Sequence, residues 1–109
     1  MHEAAITRSM LEAALAAASA AGAKRITSIR LLVGEAAAIV PDCVQAYFEQ
    51  LRVGTAAATA VLEFRTVPLR IRCRKCGVEF GSIEKMCGCN AGGEVLSGQE
   101  LLVESIDVD

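Results

Sequence analysis

The chain contains no tryptophan, and one tyrosine and three phenylalanines are its only aromatic residues among 109. A core built without large rings is light and aliphatic, and a chain of this kind gains from a bound metal ion. A single histidine is present, His2. No nucleophile stands beside a convincing base, and no glycine-rich phosphate loop occurs, so catalysis is not expected. The longest run without a charge, Ala13 to Ala23, falls short of the roughly 20 apolar residues that span a bilayer. No membrane association is therefore expected. The net charge of −2 gives no overall field that would collect nucleic acid. Ala18-Ser19-Ala20 resembles a signal-peptide cleavage site, but Glu3 replaces the basic start and Glu12 interrupts the apolar run. A cytoplasmic, reducing compartment is the expectation, and there five cysteines read as metal ligands before disulfides.

The length suits one domain with room for a very small insertion. Residues 4–21 predict a helix, with Ile6, Met10, Ala14, Ala17 and Ala21 near one face and Leu11, Leu15 and Ala18 beside them. Gly22 is its stop. Residues 25–33 alternate and are rich in β-branched types, which predicts a strand with Ile29, Leu31 and Val33 on one face. Pro41 and Asp42 open a second helix carrying Val44, Phe48 and Leu51 inward. Residues 60–67 and 100–108 predict two more strands. Between them, residues 68–98 begin at Pro68, are glycine-rich, and hold four of the five cysteines. The expected fold is α+β: a small, mainly antiparallel sheet with two helices, plus an inserted zinc-ribbon-like minidomain. Residues 1–67 and 99–109 would form the main domain and residues 68–98 the minidomain.

Cys73-Arg74-Lys75-Cys76-Gly77 has the spacing of a knuckle, in which two thiolates face one ion and nearby backbone N–H groups point at the sulfurs. Gly77 permits the tight turn. Cys87-Gly88-Cys89 follows, a pair one residue tighter than C-x-x-C. Four thiolates in two pairs favour tetrahedral Zn(II). Iron is the other metal that takes four sulfurs, and metal-free thiols or disulfides are the remaining readings. A closed four-thiolate shell leaves no open position, so the expected role is structural. Cys43, on the second helix, reads as a small buried apolar residue.

The position of His2 suggests a second metal site. The Met1 amine, the His2 amide nitrogen and the His2 imidazole form adjacent small chelate rings, and the Glu3 amide nitrogen completes a square. Square-planar nitrogen ligation suits Ni(II) or Cu(II). The bland reading is an ordinary frayed terminus.

Met1-His2-Glu3, a first strand ending in Gly34-Glu35, and a cysteine cluster followed by a Glu100-Leu101 strand occur together in this order. In this the chain resembles the HypA/HybF family of hydrogenase maturation proteins over essentially its whole length. The resemblance implies a nickel metallochaperone that binds Ni(II) through Met1, His2 and Glu3 and holds structural zinc on Cys73, Cys76, Cys87 and Cys89. It implies as partners a nickel-handling GTPase, HypB, and the hydrogenase large subunit, with urease maturation proteins in some organisms. The family's usual second pair is C-x-x-C, and the C-x-C found here bears on the knuckle geometry.

A nucleic-acid-binding zinc ribbon, or a protein-interaction module, is the competing reading. Arg70, Arg72, Arg74, Lys75 and Lys85 face only Glu79 and Glu84 within residues 69–90, a local net charge of +3. Phe80 alone offers a stacking surface there, which argues against single-strand binding.

Overall fold

A computed structural model describes residues 3–99 and 101–109. Two helices lie against a three-stranded sheet, and a second three-stranded sheet carries the cysteines.

Helix α1 spans Glu3–Ala20. Its buried residues are Thr7, Met10, Leu11, Ala14 and Ala18, a stripe at helical spacing. Ala17 and Ala21, expected inside, are exposed. Thr7 is fully buried instead, and its hydroxyl donates to the Glu3 carbonyl at 2.5 Å. The helix ends in paired backbone bonds from Gly22 N–H to Ser19 and from Ala23 N–H to Ala18, which satisfy two of its last carbonyls.

Strand β1, Ile26–Gly34, is central. Helix α2, Pro41–Leu51, crosses to strand β2, Val61–Val67, which runs parallel to β1. A helix crossover returns the chain in the same direction, so one of the two pairings in this sheet is parallel. The last strand, Leu101–Val108, pairs with β1 on its other side in the antiparallel sense. Glu100, where that strand was expected to start, lies outside the described residues. The core forms where α1 and α2 cover one sheet face. Phe48, Ile26, Ile29, Leu31 and Val44 are its largest fully buried apolar side chains among the described residues.

The second sheet contains β3 (Arg70–Cys73), β4 (Glu79–Phe80) and β5 (Gly93–Ser97), with β3 in the middle and both pairings antiparallel. A short 3-10 turn, Ile83–Lys85, separates β4 from the second cysteine pair. Numbered in chain order, the closing strand Leu101–Val108 is β6.

Candidate metal centre

Cys73 is the last residue of β3 and pairs with Gly93 of β5. Its N–H donates to the Val78 carbonyl at 2.8 Å, while Gly77 N–H returns to the Cys73 carbonyl at 3.0 Å. These two bonds close the knuckle. Gly77 takes φ +77°, a left-handed turn conformation natural to glycine. Arg74 N–H donates to the Gly92 carbonyl at 3.2 Å, which fastens the knuckle to the start of β5. Nothing in the spacing of Gly92 along the sequence marks this acceptor role.

Cys87 and Cys89 come to the same place from the loop after the 3-10 turn. The ligand atoms of Cys73, Cys76, Cys87 and Cys89 all lie within 4.8 Å of one another. A tetrahedron with metal–sulfur bonds of about 2.3 Å has edges of about 3.8 Å, so a small contraction closes the shell. No side chain projects from Gly88 to obstruct the tight second pair, and open space surrounds the position where one would begin. Burial is graded: Cys73 is only 3% exposed, Cys87 and Cys89 are half-buried, and Cys76 is exposed.

The sulfurs share protons unequally. Backbone N–H groups of Cys76 and then Lys75 point at Cys73 and pull it down to about 6, with the Cys87 thiol adding to the effect. The Lys75 N–H is 3.4 Å from Cys73 Sγ. Hydrogen bonds with Cys76 and then Cys87, together with burial, push Cys89 up to about 12. At Cys87 the Cys89 N–H favours the thiolate, but the bond to Cys73, burial and the bond to Cys76 outweigh it and raise the group. Cys73 is therefore the readily ionised sulfur, while Cys87 and Cys89 keep their protons. A soft divalent ion replaces those protons with one charge centre, and the four-sulfur donor set fits zinc.

Cys43 takes no part in this cluster. It is the third residue of α2 and is exposed, contrary to the buried role expected of it. Val44 and Phe48 occupy the inward face of α2, and a helix turns the preceding residue away from that face.

Of the residues expected to bind nickel, Met1 and His2 lie outside the described residues. Glu3 is the first residue of α1. Its own backbone N–H, with help from that of Val40, holds its carboxyl below the ordinary range against the opposing effect of burial. The basic side chains near the cysteines are partly neutralised. Arg70 and Arg72 each approach Glu79 at 3.7 Å, and Arg72 also lies 3.9 Å from Glu94.

A family model described as "Hydrogenase/urease nickel incorporation, metallochaperone, hypA" matches residues 1–108. The chain belongs to the HypA family. Membership makes it a hydrogenase maturation metallochaperone concerned with nickel incorporation, and HypA proteins are not enzymes. The hydrogenase maturation factor HypA of Dehalococcoides mccartyi strain CBDB1 is 41% identical, with all of this chain and 95% of that protein covered. The HypA of Archaeoglobus fulgidus is 34% identical, with 100% and 99% covered. The solution structure of the Ni metallochaperone HypA from Helicobacter pylori superimposes with a TM-score of 0.78 over 99% of this chain and 97% of that one. At 20% identity this likeness establishes the fold of the HypA chain. None of the helices of this family member, among the described residues, is long and apolar enough to cross a membrane.

Proposed function

We propose that this HypA-family chain binds Ni(II) at its amino terminus, through Met1, His2 and Glu3, and passes it on for [NiFe]-hydrogenase maturation. Cys73, Cys76, Cys87 and Cys89 hold structural zinc in this reading. The observation that carries it is the convergence of four sulfurs into one closed set in a chain of the HypA family. A closed set leaves no position for cargo, so the transferred metal needs a different, open site. The terminal amine, amide nitrogens and imidazole provide one whose axial positions stay free for incoming ligands. HypB and the hydrogenase large subunit are the proposed partners, with urease maturation proteins as further recipients. A cytoplasmic location agrees with four thiols kept reduced.

In this reading residues 1–67 and 99–109 are the nickel-binding domain and residues 68–98 the zinc minidomain. The separate hydrogen-bonding of the two sheets supports the division. Nucleic-acid binding is disfavoured, because Glu79 and Glu94 already engage Arg70 and Arg72.

Nickel titration with parallel zinc analysis tests the reading. His2→Ala should abolish nickel binding and leave one zinc per chain. One residue added before Met1 should weaken nickel and spare zinc. Unchanged nickel binding in His2→Ala would refute the terminal site.

A further inference from the structure

The two sheets meet at a point where backbone touches backbone. A Cβ placed on Gly34 would overlap the carbonyl of Gly98 and the nitrogen of Gln99. A Cβ placed on Gly98, where φ is +102°, would overlap Leu69. Three chain segments therefore cross at van der Waals contact: the end of β1, the connection entering the cysteine module, and the connection leaving it. Hydrogen bonds fasten the crossing. Glu35 N–H donates to Val67 at 2.8 Å and Ala36 N–H to the Gly98 carbonyl at 2.7 Å. Ser97 donates its hydroxyl to the Pro68 carbonyl at 2.9 Å, and Leu69 N–H reaches the Glu35 carboxylate at 3.4 Å.

The chain leaving this crossing is short and stiff. Ala37 N–H turns back to the Gly34 carbonyl at 3.0 Å, and Ala38 sits at φ +55°, a conformation that costs an alanine energy and persists only where neighbours enforce it. Ala37 and Ile39 then line a groove together with Ala5, Ile6 and Ser9 of the first turns of α1. Ile39 also packs on the main core. Val40 follows, adjoining Glu3 and leading directly into α2.

We propose that residues 34–40 act as a strap that transmits the position of the cysteine module to the first turns of α1. One end is fixed to Gly98 at the foot of β5. The other is anchored by Ile39 on the main core and by the Val40 backbone at the Glu3 carboxylate, at the start of α1. The segment between them has too little slack to absorb a shift, so displacement of Gly98 moves Ile39. Under the proposed function this joins the zinc minidomain to the terminus that carries nickel, but the coupling itself requires no nickel.

The test uses amide chemical shifts of the full-length, zinc-loaded chain. The module is perturbed in two ways: by removing zinc with a chelator, and by Ser97→Ala, which deletes the bond to Pro68 whatever ion the cysteines hold. Each perturbation should move the resonances of Ala36, Ile39, Ala5 and Ile6. Two glycines inserted between Ala37 and Ala38 should confine the changes to residues 68–98 and the crossing. Ala38→Gly, a milder slackening, should reduce the changes at Ala5 and Ile6. Unmoved α1 resonances in the parent chain would overturn the strap, as would equal movement after the insertion. Loss of nickel binding in His2→Ala bears on the proposed function alone, so the two ideas fail separately.

Discussion

Arg30 and Asp107 lie side by side across the β1–β6 pairing, with guanidinium Nη2 2.7 Å from carboxylate Oδ2. The Ser28 hydroxyl donates to the same oxygen at 2.5 Å, and the second guanidinium nitrogen reaches Ser105 at 3.2 Å. Ser28 first, and then Arg30, hold Asp107 below the ordinary carboxylate value of 3.8. The folded state therefore favours the charged carboxylate. Its contribution is present above the unfolded value and is lost as pH falls through the lowered folded value. Asp107→Asn should melt below the parent at pH 7, and the gap should close as pH drops below about 4. Melting curves between pH 7 and pH 2 measure this, and a gap independent of pH would show that the charge is immaterial.

The core prediction concerns Phe48. It is completely buried beneath the helices, and the Arg52 guanidinium lies 5.4 Å from its ring centre. The other largest fully buried apolar side chains among the described residues, Ile26, Ile29, Leu31 and Val44, are aliphatic. Phe48→Ala should cost about 3–5 kcal/mol in urea unfolding, which is large against the stability of an ordinary domain. A loss below about 1 kcal/mol would mean that the surrounding aliphatics collapse into the gap.

Cys43 provides a control for the cluster. Because its side chain is exposed on α2 and outside the four-sulfur set, Cys43→Ser should change stability by less than about 0.5 kcal/mol and leave zinc content intact. Cys73→Ser should remove zinc and disorder the module. Elemental analysis and thermal melts separate the two outcomes.

Zinc binding should release protons. Cys89, pushed up to about 12, and Cys87, raised above its ordinary value, are both thiols at pH 7 when no ion is bound. Each must deprotonate to ligate, so binding at pH 7 should release no fewer than about two protons per ion. Affinity should then fall as pH is lowered. Calorimetry in buffers of different ionisation enthalpy counts these protons, and a count near zero would contradict the proton sharing described above.

The elements of the main fold were legible because β-branched alternation and the Val44–Phe48 spacing leave little choice of face. The cysteine cluster was legible because its two short-range pairs announce themselves locally. Alanine defeated the finer reading of α1: a residue that is apolar on every face gives no phase, so Ala17 and Ala21 were placed inside when Thr7 belongs there. Cys43 failed for a related reason, since one helical step separates an inward position from an outward one. The Gly34–Gly98 crossing leaves no local pattern at all. It arises from two glycines distant in sequence: the Gly98–Gln99 backbone occupies the space of a Gly34 side chain, and Leu69 occupies that of a Gly98 side chain.

The graded burial of the four cysteines sets an order of events for metal exchange. Cys73 is sealed at the end of β3, whereas Cys76 stands open to solvent. A competing thiol or chelator therefore meets Cys76 before the others, and the backbone-anchored Cys73 should be the last ligand surrendered. A substitution that shields Cys76 would then slow metal exchange in both directions without changing the number of ligands.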